Sequence, residues 1–76
     1  MITVKIYGLL RIDSGIKERK IEATCIQDVL ADLEMQGIPR QDLRGCILLI
    51  NGKPAKKRSV LHHGDVVQLM SPVAGG

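Results

Sequence analysis

The sequence predicts an α+β domain in which one amphipathic helix covers one face of a mixed, four- to five-stranded sheet. Three observations carry this. Residues 2–7 alternate with period two. Ile26, Val29, Leu30 and Leu33 recur at the spacing of one buried helix face. Two further apolar runs, 46–50 and 66–70, are each bounded by turn formers. The 76 residues are enough for one domain with a modest core. Residues 1–70 read as the folded unit and 71–76 as a tail.

In order, Ile2, Val4 and Ile6 face one way and Thr3, Lys5 and Tyr7 the other, as in a half-buried strand. Residues 8–15 contain Asp13, Ser14 and Gly15 and read as a turn, with Leu9 or Leu10 packing from it. Residues 16–23 form a second strand whose run of Lys, Glu and Arg suits a sheet edge. Strands one and two therefore read as a hairpin.

Thr24 and Gln27 fit a capping box, Thr at the N-cap and Gln three residues on. The helix should end at Met35 or Gln36, with Gly37 beyond it and Pro39 barring continuation. Residues 38–45 are a connection with room for a short helical turn over 39–43. A third strand over 46–50 runs into Asn51-Gly52, a tight-turn pair. Residues 53–60 are polar and hold at most a short fourth strand. Residues 61–65 turn the chain into a final strand, 66–70.

Composition narrows the function. The core must be built from Ile, Leu, Val and Met, because the chain has no Phe, no Trp and one tyrosine, Tyr7. That argues against stacking on bases, so nucleic acid is not the expected partner. The net charge of +3 comes mainly from Lys53 and Lys56-Lys57-Arg58. This cluster reads either as a solvated loop guarding an edge strand or as a docking patch for an acidic partner or nucleic acid. No apolar run is long enough to span a bilayer. Met1 leads straight into a strand pattern, and Cys25 and Cys46 form no C-x-x-C pair. The expectation is a cytoplasmic chain with reduced thiols. His62 and His63 are neighbours, a poor arrangement for sharing one metal ion, so no metal is expected. Cys25, at the helix start, reads as packing or as a thiol near a helix dipole; Cys46 reads as core.

The tail is the chemically suggestive stretch. Pro72 lacks an N–H and favours an extended exit from the sheet. Gly75 and Gly76 carry no side chain, so they fit a channel too narrow for one. Gly76 is expected to bear a free carboxylate. No residues form a nucleophile–base pair with an orienting third group, so the chain is expected to be non-catalytic by itself.

Taken together, the Thr24 helix start, Ile50-Asn51-Gly52-Lys53, Leu61-x-x-Gly64-Asp65 and Pro72-Val73-Ala74-Gly75-Gly76 resemble the ubiquitin-like β-grasp sulfur-carrier family. This family includes the molybdopterin synthase small subunit and the thiamine-biosynthesis sulfur carrier. The ending looks more like the molybdopterin member. The sequence departs from that member in its lack of aromatics and in Ser71, where a second proline is common. Other relatives serve thiamine synthesis, tRNA thiolation, cysteine synthesis or attachment to proteins.

The resemblance implies a β-grasp fold and a cycle at Gly76. An E1-like adenylating enzyme, using ATP and Mg²⁺, activates the carboxylate. A sulfur donor of the cysteine desulfurase or rhodanese type then leaves a thiocarboxylate. A large subunit or another acceptor enzyme takes the sulfur, and the carrier itself binds no cofactor. Two other outcomes stay open: transfer to lysine amines as a protein modifier, and a plain RNA- or protein-binding module with an inert tail.

One helix can cover only one face of the sheet. With Leu48, Ile50, Val67 and Leu69 under it, Ile47, Leu49 and Met70 fall on the other face beside Lys5 and Tyr7. β-grasp relatives dock partners there, which makes Tyr7, Ile47, Leu49, Met70 and the tail residues Pro72, Val73 and Ala74 the expected contact set. The opposing expectation is that residues 38–45 or 53–60 cover this face.

Overall fold

Apolar alternation places β1 (Ile2–Tyr7) at the heart of the sheet. In the computed structural model, which describes residues 1–71, Ile2, Val4 and Ile6 are at most 1% exposed, while Thr3, Lys5 and Tyr7 are half-buried on the other face. The remaining elements are α1 (Leu9–Ser14), β2 (Glu18–Ile21), α2 (Ile26–Met35), α3 (Arg40–Arg44), β3 (Ile47–Ile50), β4 (Lys53–Pro54) and β5 (Val66–Met70). The five strands lie in the order β2-β1-β5-β3-β4. Only the central β1–β5 pair is parallel; the other pairs are antiparallel. The expected mixed sheet is therefore present with five strands.

Between β1 and β2 the chain does not make the expected plain turn. It forms α1, a turn and a half of helix ended by Gly15 in the left-handed region. Leu10 is the buried residue of α1 and Leu9 is exposed. β1 and β2 still pair as a hairpin, from Ile2 opposite Ile21 to Lys5 opposite Glu18. β2 is shorter than the 16–23 expected, and it is an edge, as its charges suggested.

α2 buries Ile26, Val29 and Leu33 completely, with Leu30 half-buried. Its start differs from the expected capping box. Cys25, not Thr24, occupies the N-cap position, and its side chain makes no capping bond. Because the helix begins one residue later, Asp28 rather than Gln27 reaches back. Asp28 Oδ2 accepts from the Thr24 backbone N–H at 3.0 Å and from the Thr24 hydroxyl at 2.8 Å. These bonds hold the Asp28 carboxyl below its ordinary range. The Ile26 and Gln27 N–H groups donate to the carbonyls of Ser59 and Lys57, so the connection after β4 also satisfies the helix start.

The end of α2 follows expectation. Gly37 has φ 105°. Its N–H donates to the Glu34 carbonyl at 2.9 Å, and Ile38 N–H donates to Leu33 at 3.1 Å. That is the Schellman pattern, and Ile38 is buried as its apolar contact. Pro39 then starts α3, which inserts Leu43 into the core. A bidentate pair joins β2 to α2: Arg19 Nε to Asp32 Oδ2 at 2.7 Å, and Nη2 to Oδ1 at 3.0 Å.

The core is one cluster between the sheet and the helices. It gathers Ile2, Val4, Ile6, Val67 and Leu69 from the sheet with Ile26, Val29, Leu33, Ile38, Leu43 and Leu61. Leu48, Ile50 and Cys46 pack against it half-buried. At roughly 25 cal/mol per Å² of apolar surface removed from water, this aliphatic cluster is the main stabilising contribution.

Candidate functional site

The register of the sheet assembles the outer face. Tyr7 lies beside Met70, and Met70 beside Ile47. One step along, Lys5 lies beside Gln68, and Gln68 beside Leu49. Side chains two apart on a strand share a face, so Tyr7, Met70, Ile47 and Leu49 form one surface with Lys5 and Gln68 among them. Ile47 is 47% exposed; Tyr7, Leu49 and Met70 are half-buried. Gln68 Nε2 donates to the Tyr7 hydroxyl at 3.3 Å, which ties the polar rim to the ring.

Neither connection covers this face. Residues 38–45 send Ile38 and Leu43 into the core on the helix side. Residues 53–60 pack Ala55 against the same core and cross to the start of α2. An apolar row left uncovered by the described residues of a small domain has the usual character of a contact surface.

The row ends at the root of the tail. Ser71 follows Met70 directly, and its Oγ accepts from the Leu10 N–H at 2.8 Å. Gly8 permits the approach. With φ 71° and ψ −152°, it holds a conformation that side chains rarely adopt, and a Cβ there would lie 3.4 Å from Ser71 Oγ. Pro72, Val73, Ala74, Gly75 and Gly76 lie outside the described residues.

The two internal motifs meet in space and fix the start of β5. Asn51 and Gly52 have φ of 51° and 84°, the tight hairpin turn between β3 and β4. Asn51 Nδ2 donates to Asp65 Oδ1 at 3.0 Å, and its Oδ1 accepts from the Val66 N–H at 3.0 Å. Asp65 Oδ2 accepts from the His62 N–H at 2.8 Å. The His62 and Asn51 donors hold the Asp65 carboxyl below its ordinary range. This latch ties the end of β3 to the start of β5, in the register that places Gln68 and Met70 beside Leu49 and Ile47.

The remaining candidates are dispersed. His62 is exposed beside Asp65, and His63 Nδ1 meets the Met1 amino group. Among the described residues, no three His, Cys, Asp or Glu side chains gather around a common point. Cys25 is half-buried at the start of α2. Burial, and then the nearby Asp42 charge, push the Cys46 thiol up, away from reactivity. Its Sγ donates to the Asp42 carbonyl at 3.1 Å. No described helix is long and apolar enough to cross a membrane.

Sequence reasoning missed α1 and the Leu10–Ser71 bond. Only one side chain of α1 is buried, so no periodicity announces it, and its partner lies at the far end of the chain.

Comparisons with known proteins agree with this architecture. No curated protein matches the sequence. Several solved structures share the fold. SAMP1 from Haloferax volcanii is 22% identical, with 99% of this chain and 98% of that one covered and a TM-score of 0.81. A chain of the Amycolatopsis orientalis BexX/CysO complex is 21% identical over the full length of both, with a TM-score of 0.80. A chain of the complex of subunits 1 and 2 of the Helicobacter pylori molybdopterin-converting factor is 24% identical, covering 99% and 97%, with a TM-score of 0.76. The model of the ThiS family matches residues 4–76, nearly the whole chain and its Gly-Gly end. By that match and by its β-grasp fold, the chain belongs to the ThiS family of ubiquitin-like sulfur carriers.

Proposed function

We propose that this chain carries sulfur as a thiocarboxylate on Gly76 and delivers it in molybdopterin synthesis. The observation that carries the reading is the family match, which runs through Gly76. In the proposed cycle the Gly76 carboxylate attacks the α-phosphorus of ATP on an E1-like enzyme with Mg²⁺, and pyrophosphate leaves. The outer sulfur of a persulfide on a cysteine desulfurase or rhodanese-type donor displaces AMP to form an acyl disulfide. A thiol then attacks the donor's inner sulfur, releasing the thiocarboxylate and leaving a disulfide on the donor. The thiocarboxylate sulfur then attacks the acceptor held by a larger catalytic subunit. Water hydrolyses the resulting thioester, leaving the sulfur on the acceptor and returning Gly76 to a carboxylate. Gly75 lets the end pass through a narrow channel, since it presents no side chain.

The outer sheet face supports this division of labour. Tyr7, Met70, Ile47 and Leu49 offer an apolar contact surface that ends at Ser71, beside the tail. A partner seated there has the reacting end within reach of its own active site, with Pro72, Val73 and Ala74 as the segment it grips. The H. pylori and A. orientalis relatives were solved as complexes with partner proteins, which is consistent with such a role. The preference for molybdopterin over thiamine or tRNA thiolation rests on the Pro-Val-Ala-Gly-Gly ending. A protein modifier would share the activation step but leave lysine conjugates.

The test is ATP–pyrophosphate exchange by the activating enzyme. Replacing Gly76 with a bulkier residue should abolish exchange while leaving the fold intact. Exchange at the normal rate would refute the assignment of Gly76.

A further inference from the structure

A cleft of about 350 Å³ lies between α2 and α3, on the side of the sheet opposite the Tyr7–Met70–Ile47 row. Leu30, Ala31 and Leu43 form its apolar floor. Arg40, Arg44 and Lys57 stand around it with Gln27 and Glu34. The charges are not equivalent. Arg40 Nε pairs with Glu34 Oε1 at 3.2 Å, which engages the single acid in the lining. Arg44 and Lys57 make no ion pair among the described residues. The Lys57 carbonyl accepts from the Gln27 N–H at 3.0 Å, so its backbone is pinned to the first turn of α2.

The surroundings reinforce the sign. Residues 40–58 hold six of the eleven Lys and Arg of the chain and one acid, Asp42. The fold splits this cluster. Lys53 lies on the edge strand β4, as a gatekeeper should. Lys57 belongs to the cleft instead, and guarding the edge does not account for it.

We propose that this cleft docks an acidic amphipathic segment of a partner protein. An apolar side chain would rest on Leu30, Ala31 and Leu43, and carboxylates would meet Arg44 and Lys57. Charge complementarity selects the acid, and the apolar floor selects a peptide over a bare polyanion. The lining has no aromatic platform on which bases could stack. The site is separate from the outer face, so the carrier can be held here while a second partner works at Gly76. The proposal stands independently of the chemistry at Gly76.

The test is a nuclear magnetic resonance titration of the full ¹⁵N-labelled chain. Three probes are used: a synthetic helical peptide with Leu at i, i+4 and Glu elsewhere, the same peptide with Gln for Glu, and a single-stranded oligouridylate of matched charge. The acidic peptide should shift the amides of Leu30, Ala31, Leu43 and Arg44 saturably and leave Tyr7 and Leu49 unmoved. Its affinity should fall at least about tenfold in Arg44→Glu/Lys57→Glu, and fall with added salt. Ala31→Arg, at an exposed floor position, should block binding with the fold unchanged, and it serves if the double variant is unstable. Equal binding of the Gln peptide, tighter binding of the oligouridylate, shifts confined to the outer face, or no saturable shift would each overturn the proposal.

Discussion

The Leu10 N–H donates to Ser71 Oγ at 2.8 Å across 61 positions of sequence. Ser71 thereby meets a free N–H in the first turn of α1 and fixes where the chain leaves the sheet. In the proposed cycle, that point sets where Gly76 begins its reach into a partner. Ser71→Ala removes the acceptor of a part-buried donor and should cost about 1 kcal/mol. Urea unfolding measures the loss, and hydrogen exchange at the Leu10 amide should accelerate in step. Ser71→Thr keeps the hydroxyl and should restore protection.

Gly8 enables that contact. Its φ of 71° with ψ −152° is accessible almost only to glycine, and a Cβ would sit in contact with Ser71 Oγ at 3.4 Å. Gly8→Ala should destabilise by about 1–3 kcal/mol. In a Gly8→Ala/Ser71→Ala cycle the two losses should not add, because they share one contact.

The two faces of the sheet predict opposite responses to substitution. Leu69 is fully buried, and Leu69→Ala should cost about 2–5 kcal/mol. Leu49 is half-buried on the outer face. Leu49→Asp should leave the fold intact and weaken partner binding. Thermal unfolding beside a pull-down with the activating enzyme separates the two. An unfolded Leu49→Asp would mean the faces are reversed.

Stability should depend on acid through the Asp65 latch. The folded-state pKa of Asp65 is depressed by the His62 and Asn51 donors. Its stabilising effect is therefore present above the unfolded pKa and lost as pH falls through the folded one, below about 4. Asp28 acts in the same direction through Thr24. Urea midpoints measured across this range should fall with pH. Asp65→Asn and Asn51→Ala should each flatten the profile.

What was legible in the sequence was local. Apolar periodicity, Gly37 and Pro39 define α2 and its Schellman end without tertiary information. Alternation in β1, β3 and β5 defines which side chains share a face, so the outer row follows once one helix is assigned to the other side. What was not legible depends on distant partners. The start of α2 moved by one residue because Ser59 and Lys57 satisfy its first N–H groups, leaving Asp28 to bind Thr24. α1 stays hidden because Leu10 is its one buried side chain and Ser71 lies 61 positions away. The basic cluster reads as one run in sequence, and only the fold separates Lys53 at the edge from Lys57 at the cleft.

The most direct test of the central claim is the mass of the C-terminal peptide from cells lysed straight into an alkylating reagent, which traps a thiocarboxylate through its sulfur. The proposed cycle predicts a fraction of Gly76 with one oxygen replaced by alkylated sulfur, lost when the activating enzyme is deleted. Gly76 found only as an unalkylated carboxylate, with the activating enzyme and sulfur donor present, would contradict it.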